Sequence, residues 1–391
     1  MLLHPIDHTD AQSVRWDDAV ARVGDDVIAL SVADMDLAAP EPVIRAVVER
    51  ARRGGYGYTQ VPPGYRAVVA DWLRRRQGWA VDPEHILPVG RVVEAVPALL
   101  HELTDPFATV VVPTPAYAPV TNAVEANGRR LLRVPMIEVD GRPTLDMTAM
   151  AVAMAEADAL ILTGPHNPTG RVWTRAELTE LAEIAECTDT LVIADEVHGD
   201  LTLPGHRHIP FASVMPEMAR RTITFSSPGK TFNMAGLESS HAIIADPQLR
   251  ARAAAAFDRA GFHNPRYFAS AATVAAYTEG EPWLTELLAL LDHHVDLLRT
   301  ADLPGIRLVE PEGTHLAWLD CRGWTADEAE IERATHTAGL VLSLGSDFGP
   351  GNDGFVRINL AVPTDLFTEA IARLARARAG SPTTTEERND A

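Results

Sequence analysis

The sequence predicts an α/β protein: a doubly wound, mostly parallel sheet in a large domain, joined to a smaller α+β domain. Three observations predict it. Between about residues 80 and 260, short apolar runs of strand length alternate with segments of helical periodicity. Each is a short apolar run, as expected for strands covered on both faces by helices. At 391 residues the chain is too long for one typical core and fits two unequal lobes or one large α/β domain.

Taken in order, residues 1–40 form an N-terminal segment expected to pack with the small domain. The large domain is expected over 41–282. Within it, Gly90 precedes a helix at 94–102, and strand runs stand at 109–112, 159–162, 191–194, 222–225 and 242–245. Thr174 followed by Glu177 is a capping box, after which Leu178, Leu181 and Ile184 recur at helical spacing. Ligands of such a sheet bind at the carboxyl ends of its strands. The small domain is expected over 283–378. There, helices at 283–299 and 325–339 flank strand-like runs at 306–309, 315–319 and 354–360, and a last helix covers 364–377. Residues 379–391, AGSPTTTEERNDA, are polar and are expected to be a disordered tail.

Lys and Arg number 34 against 54 Asp and Glu, a net charge of −20, which argues against nucleic acid or anionic lipid as a partner. A small substrate stays open, because one pocket can be positive on an acidic protein. The runs Arg52-Arg53 and Arg74-Arg75-Arg76 read as solvated helix faces. No apolar run reaches membrane-span length, and MLLHPIDHTDAQ lacks the basic-then-apolar order of an export signal. Cys187 and Cys321 stand far apart, as incidental thiols in a reducing cytoplasm would. His293-His294 has no Cys or acidic ligand in metal spacing, so no metal is expected.

Four features fall at or after strand ends. Ser227-Pro228-Gly229-Lys230 follows the run 222–225. Burying an ammonium there is costly, and forming an imine removes the conflict. The alternative is a surface lysine in a loop. Asp195, in Ala194-Asp195-Glu196-Val197-His198, could keep a pyridine nitrogen protonated, although Asp-Glu after a strand also serves as a metal or helix-cap feature. Pro165-His166-Asn167-Pro168-Thr169-Gly170 presents Asn167 on a turn that could equally be only a turn. Gly90-Arg91-Val92-Val93 opens a helix whose free N–H groups suit a phosphate. Tyr117, after the run 109–112, could stack on an aromatic ring or fill the core.

In this order the features resemble the fold-type I pyridoxal-phosphate enzymes, the aspartate aminotransferase superfamily. Val32-Ala33-Asp34-Met35-Asp36, Gly57-Tyr58-Thr59, the segment PGHRHIPFAS from Pro204, KTFNMAGL from Lys230, His198 and GFVRIN from Gly354 are similar to the MalY/PatB-type cystathionine β-lyases, or C–S lyases. The resemblance runs from about Asp10 to Arg378. It implies pyridoxal 5′-phosphate as cofactor, with Lys230 carrying it and moving the substrate's α-proton. It places Asp195 at the pyridinium nitrogen, Asn167 and His198 on the phenolate side, and Tyr117 stacked on the ring. Ser227, the turn at Arg91-Val92, and Tyr58 reaching across from a neighbouring subunit of a homodimer would hold the phosphate. Arg357 would bind the substrate carboxylate.

The implied activity is β-elimination from an S-substituted L-cysteine such as cystathionine, giving a thiol, pyruvate and ammonia. An aminotransferase starts from the same carbanion and is the alternative, as is a specialised biosynthetic enzyme eliminating from another amino acid. A non-catalytic regulator that binds the cofactor is a third. Four departures stand out: Gly229 where the family usually has Ser, Arg91 where it has Gly, Thr163-Gly164 before the H-N-P turn, and Glu238 eight residues after the lysine.

Overall fold

The structure, a computed structural model, describes residues 2–8 and 11–380. The large lobe is built on seven strands: β1 (Ile86–Val89), β2 (Thr109–Thr114), β3 (Arg130–Pro135), β4 (Ala159–Thr163), β5 (Leu191–Asp195), β6 (Thr222–Ser226) and β7 (Ser240–Ile243). Their spatial order is β1-β7-β6-β5-β4-β2-β3. Strands β3, β2, β4, β5 and β6 run parallel, while β7 is antiparallel to both β6 and β1. The sheet is therefore doubly wound and mostly parallel, as the apolar runs imply.

Four of the five expected strand runs are present, each one or two residues longer at its carboxyl end. The fifth lies two residues earlier than expected, at Ser240–Ile243. Two strands have no counterpart in the apolar pattern, for a shared reason. Both β1 and β3 are edge strands, so Pro88 is tolerated in one and two arginines in the other. Helices cover both faces. One, Val92–Leu103, packs Ala95, Val96 and Leu99 on the Val110, Ile161 and Ile223 side. Another, Arg175–Cys187, starts at the Thr174–Glu177 capping box and packs Leu178, Leu181 and Ala182 on the opposite side with Leu160 and Val192.

The second lobe has a four-stranded antiparallel sheet of β8 (Arg307–Val309), β9 (Leu316–Asp320), β10 (Ser343–Leu344) and β11 (Phe355–Asn359), in the order β8-β9-β11-β10. Helices Glu281–Thr300, Glu328–Thr337 and Thr364–Ala379 pack against it. The last begins at the expected residue and ends at Ala379, one residue into the segment expected to be a tail. The rest of that expectation, residues 381–391, lies outside the described residues. Ile28–Ala29 pairs in parallel with Leu340–Val341, and Leu30, Met35 and Leu37 share a core with Leu291, Ile358 and Phe367. His294 is structural: Nδ1 lies 2.7 Å from the Leu360 carbonyl, Nε2 lies 2.9 Å from Thr364 Oγ1, and the ring stacks on Phe367.

The turn before β9 is clasped to the large lobe by a buried carboxylate. Glu312 accepts from Arg171 Nε at 3.1 Å and from the Val172 amide at 2.9 Å, and Arg142 reaches its other oxygen. Removing one partner of a buried pair strands the other charge. Glu312→Ala is expected to lower unfolding stability by about 3 kcal/mol, the low end of that effect, because Arg171 keeps Glu177 at 2.8 Å. Urea denaturation measures it; a loss under about 1 kcal/mol would show the clasp to be dispensable.

Candidate active site

The carboxyl ends of β4, β5 and β6 converge on one buried region. β5 ends on Asp195, and the Gly164 amide after β4 donates to its carbonyl at 3.0 Å. After β6 the chain enters a short helical turn, Pro228–Thr231, capped by Ser227, whose Oγ accepts from the Gly229 amide at 2.9 Å. A Cβ on Gly229 would lie 3.0 Å from that Oγ and 3.3 Å from Ala235 Cα, so glycine before the lysine keeps the turn tight.

That turn aims Lys230 inward. Its Nζ donates to the Ala33 carbonyl at 2.8 Å. Burial pulls the amine below its ordinary pKa, Arg357 adds to this, and Asp34 and Asp195 oppose it. Asp195 is buried, and burial raises its carboxyl to about 6; one compensating hydrogen bond comes from the Val197 amide, at 3.4 Å. His198, also buried, is held near 3 by burial and by the cations Lys230 and Arg357, so its imidazole is neutral.

Arg357 enters from β11 in the small lobe. Its Nη1 donates to Asn167 Oδ1 at 3.0 Å, and its Nη2 donates to Ser343 Oγ at 3.1 Å and the Ser31 carbonyl at 3.3 Å. The guanidinium lies 4.9 Å from the centre of the Phe348 ring. Burial lowers its pKa to about 10, which still leaves it charged at neutral pH. The sheet of one lobe and the turn of the other thus bring Arg357 and Asn167, 190 positions apart in sequence, into contact. Tyr117 stands at the start of helix Ala118–Ala126, 41% exposed and in electrostatic reach of Asp195 and Arg357.

At the other end of the site, Val92 begins its helix with no side chain capping it, and Ser227 Oγ donates to the Ser239 carbonyl at 2.6 Å. The Arg91 side chain turns aside to Glu238 Oε1 at 2.6 Å, and Arg266 reaches Glu238 Oε2 at 2.5 Å. Glu238, in the left-handed region at φ 51°, is therefore neutralised by two guanidinium groups. Tyr58 stays at the surface, 99% exposed, beside Thr59, whose Oγ1 donates to the Pro265 carbonyl. Sequence reasoning did not find Ser343, Phe348, Arg266 or His315. None sits in a motif, and all four reach the site only through folding.

These residues fit pyridoxal 5′-phosphate. His198 Nδ1, Ser226 Oγ and Arg357 Nε are buried without a partner among the described residues, beside one amine and one carboxyl group of the kinds that hold such a ring. Comparison with known proteins agrees. Residues 25–374 match the family model for aminotransferase class I and II. Cystathionine beta-lyase PatB of Bacillus subtilis is 35% identical over 94% of this chain and 96% of its own length. The chain belongs to the class I and II aminotransferase family. Two solved structures of similar shape are a PLP-bound putative aminotransferase from Clostridium difficile 630 and cystalysin from Treponema denticola. The first has a TM-score of 0.93 and 32% identity, covering 96% of this chain and 99% of that one. The second has a TM-score of 0.92 and 32% identity, covering 96% and 98%.

Proposed function

We propose that the chain is a pyridoxal 5′-phosphate-dependent carbon–sulfur β-lyase that cleaves an S-substituted L-cysteine, cystathionine-like, to a thiol, pyruvate and ammonia. The observation that carries this reading is the convergence of a half-buried amine, Lys230, a buried carboxyl group, Asp195, and a buried guanidinium, Arg357, at the strand ends. It is supported by the likeness to PatB, a cystathionine β-lyase, and to two structures described as holding the cofactor.

Pyridoxal 5′-phosphate, when bound, supplies an aldehyde that condenses with amines and a ring that accepts the electron pair left at Cα. Lys230 would hold that aldehyde, and its free amine would take the substrate's Cα proton on Nζ; its lowered pKa enlarges the neutral fraction. Arg357 grips the substrate carboxylate and turns the Cα–H bond toward Nζ, a planar bidentate fit that lysine lacks. Asp195 would hold a proton on the ring nitrogen, and Asn167 and His198 would hydrogen-bond on the phenolate side. Tyr117 would stack on the ring. Ser227, the backbone at Arg91-Val92 and a neighbouring subunit's copy of Tyr58 would hold the phosphate. Sulfur leaves from Cβ as the thiol, and the remaining three-carbon fragment is hydrolysed.

The protein is expected to be a homodimer, since Tyr58 is exposed in one chain. A cytoplasmic location fits two unpaired cysteines, and among the described residues no helix is long and apolar enough to cross a membrane. Incubated with S-substituted cysteines and no keto-acid acceptor, the holoenzyme should release pyruvate and ammonia in equal amounts. Turnover that requires an added keto acid, with no pyruvate formed, would make it an aminotransferase instead. A fully active monomer would remove Tyr58 from the site.

A further inference from the structure

Strand β9 is entered through a strained residue. Thr314 has φ 70°, in the left-handed region that a β-branched side chain rarely adopts. It is held there by its amide, which donates to the Leu201 carbonyl at 2.6 Å, and by its hydroxyl, which accepts from the Leu316 amide at 3.1 Å. Gly313 beside it is equally constrained, since a Cβ there would lie 2.7 Å from the Leu201 carbonyl oxygen. Such strain persists only where the surroundings impose it, and it concentrates at functional sites.

The strained entry sets the start of β9 against the site. His315 is completely buried, and neither ring nitrogen meets a partner at hydrogen-bond geometry. The Ala33 carbonyl, the same oxygen that receives Lys230 Nζ, interacts with the ring and opposes the effect of burial on it. The His198 ring lies 5.6 Å away, tilted by 47°, and its Nδ1 also lacks a partner. Burial and the neighbouring cations Lys230 and Arg357 keep the His315 imidazole neutral, with one N–H and one lone pair. The Ala33 carbonyl can engage one nitrogen at most, and a second buried nitrogen left bare is costly unless a ligand completes it. The two cations beside it are those assigned to the substrate's α-proton and carboxylate.

We propose that His315 is a specificity-determining residue: it hydrogen-bonds the group attached to the substrate's sulfur, selecting S-substituted cysteines with a polar substituent over simple S-alkyl ones. This rests on the lyase reading above. A site built to satisfy a polar group rejects the analogue lacking it, because its own polar atoms are then left bare.

Two nearly isosteric probes test it: S-(2-hydroxyethyl)-L-cysteine, whose hydroxyl can donate or accept, and S-propyl-L-cysteine. Wild-type holoenzyme should prefer the first by roughly 10-fold or more in kcat/KM. His315→Phe should erase that preference, mainly through KM, while keeping the bound cofactor's visible absorbance and its spectral response to L-alanine. His315→Gln should restore part of it. No preference in wild type, an unchanged preference in His315→Phe, or loss of cofactor absorbance in both variants would overturn the assignment. If wild type releases no pyruvate from either probe, the lyase reading fails. Spectral titration with the same two amino acids then still decides the role of His315: preferential binding of the hydroxyethyl compound that vanishes in His315→Phe supports it, and equal binding refutes it.

Discussion

Lys230→Ala yields a folded protein with no visible absorbance from bound cofactor and no turnover. The side chain is the chain's only lysine, half-buried and hydrogen-bonded to Ala33. Burial lowers its pKa, so at neutral pH the free amine is more abundant than for a solvated lysine. Removing it takes away both the attachment point and the base for the Cα proton. Proton transfer by a positioned group is by itself worth roughly 10²–10⁴-fold, so activity should fall at least that far. A second measurement makes the result sharp. Borohydride treatment of the wild-type holoenzyme should fix one cofactor mass to the peptide holding Lys230. Because no other lysine exists in the sequence, a label elsewhere, or persistent visible absorbance in the variant, would end the assignment.

Arg357→Ala raises KM by roughly 10²-fold or more, with a smaller fall in kcat. The larger effect follows from losing a buried charged partner for the carboxylate, typically about 2–5 kcal/mol. The smaller follows from the Arg357–Asn167 bond at 3.0 Å, since Asn167 loses the group that orients it. Arg357→Lys should behave much like alanine, because a point-like ammonium cannot reproduce the planar fork that spans Asn167, Ser343 and the substrate. Unchanged KM in both variants would remove Arg357 from substrate binding.

The strands that bear the site were legible because a covered parallel strand is mainly apolar; β2, β4 and β5 hold runs of apolar residues, and β6 places Ile223 and Phe225 between small hydroxyl residues that burial tolerates. The edge strands β1 and β3 were not, since an edge accepts Pro88 or Arg133 without penalty. Glu238 illustrates a different limit. From the sequence it looks repulsive toward a phosphate, whereas folding places Arg91 and Arg266 on its two oxygens, at 2.6 and 2.5 Å. His315 reads as the first residue of an apolar run, and nothing in the sequence says that its ring would lie beside His198 with no partner.

What the sequence determined by itself is the set of local elements and the residues carried on their ends: Asn167 on its turn, Asp195 closing β5, and Lys230 in a tight Ser-Pro-Gly turn after β6. These depend on contacts within a few positions and on strand burial, which composition records. Only the tertiary structure decided the wall that faces them. Arg357, Ser343 and His315 come from β11, β10 and β9 of the other lobe. The distance from such residues to Lys230 is set by how two cores pack and how the Glu312 clasp joins them. Packing of that kind depends on side chains far apart in the chain, and it leaves no local pattern to read.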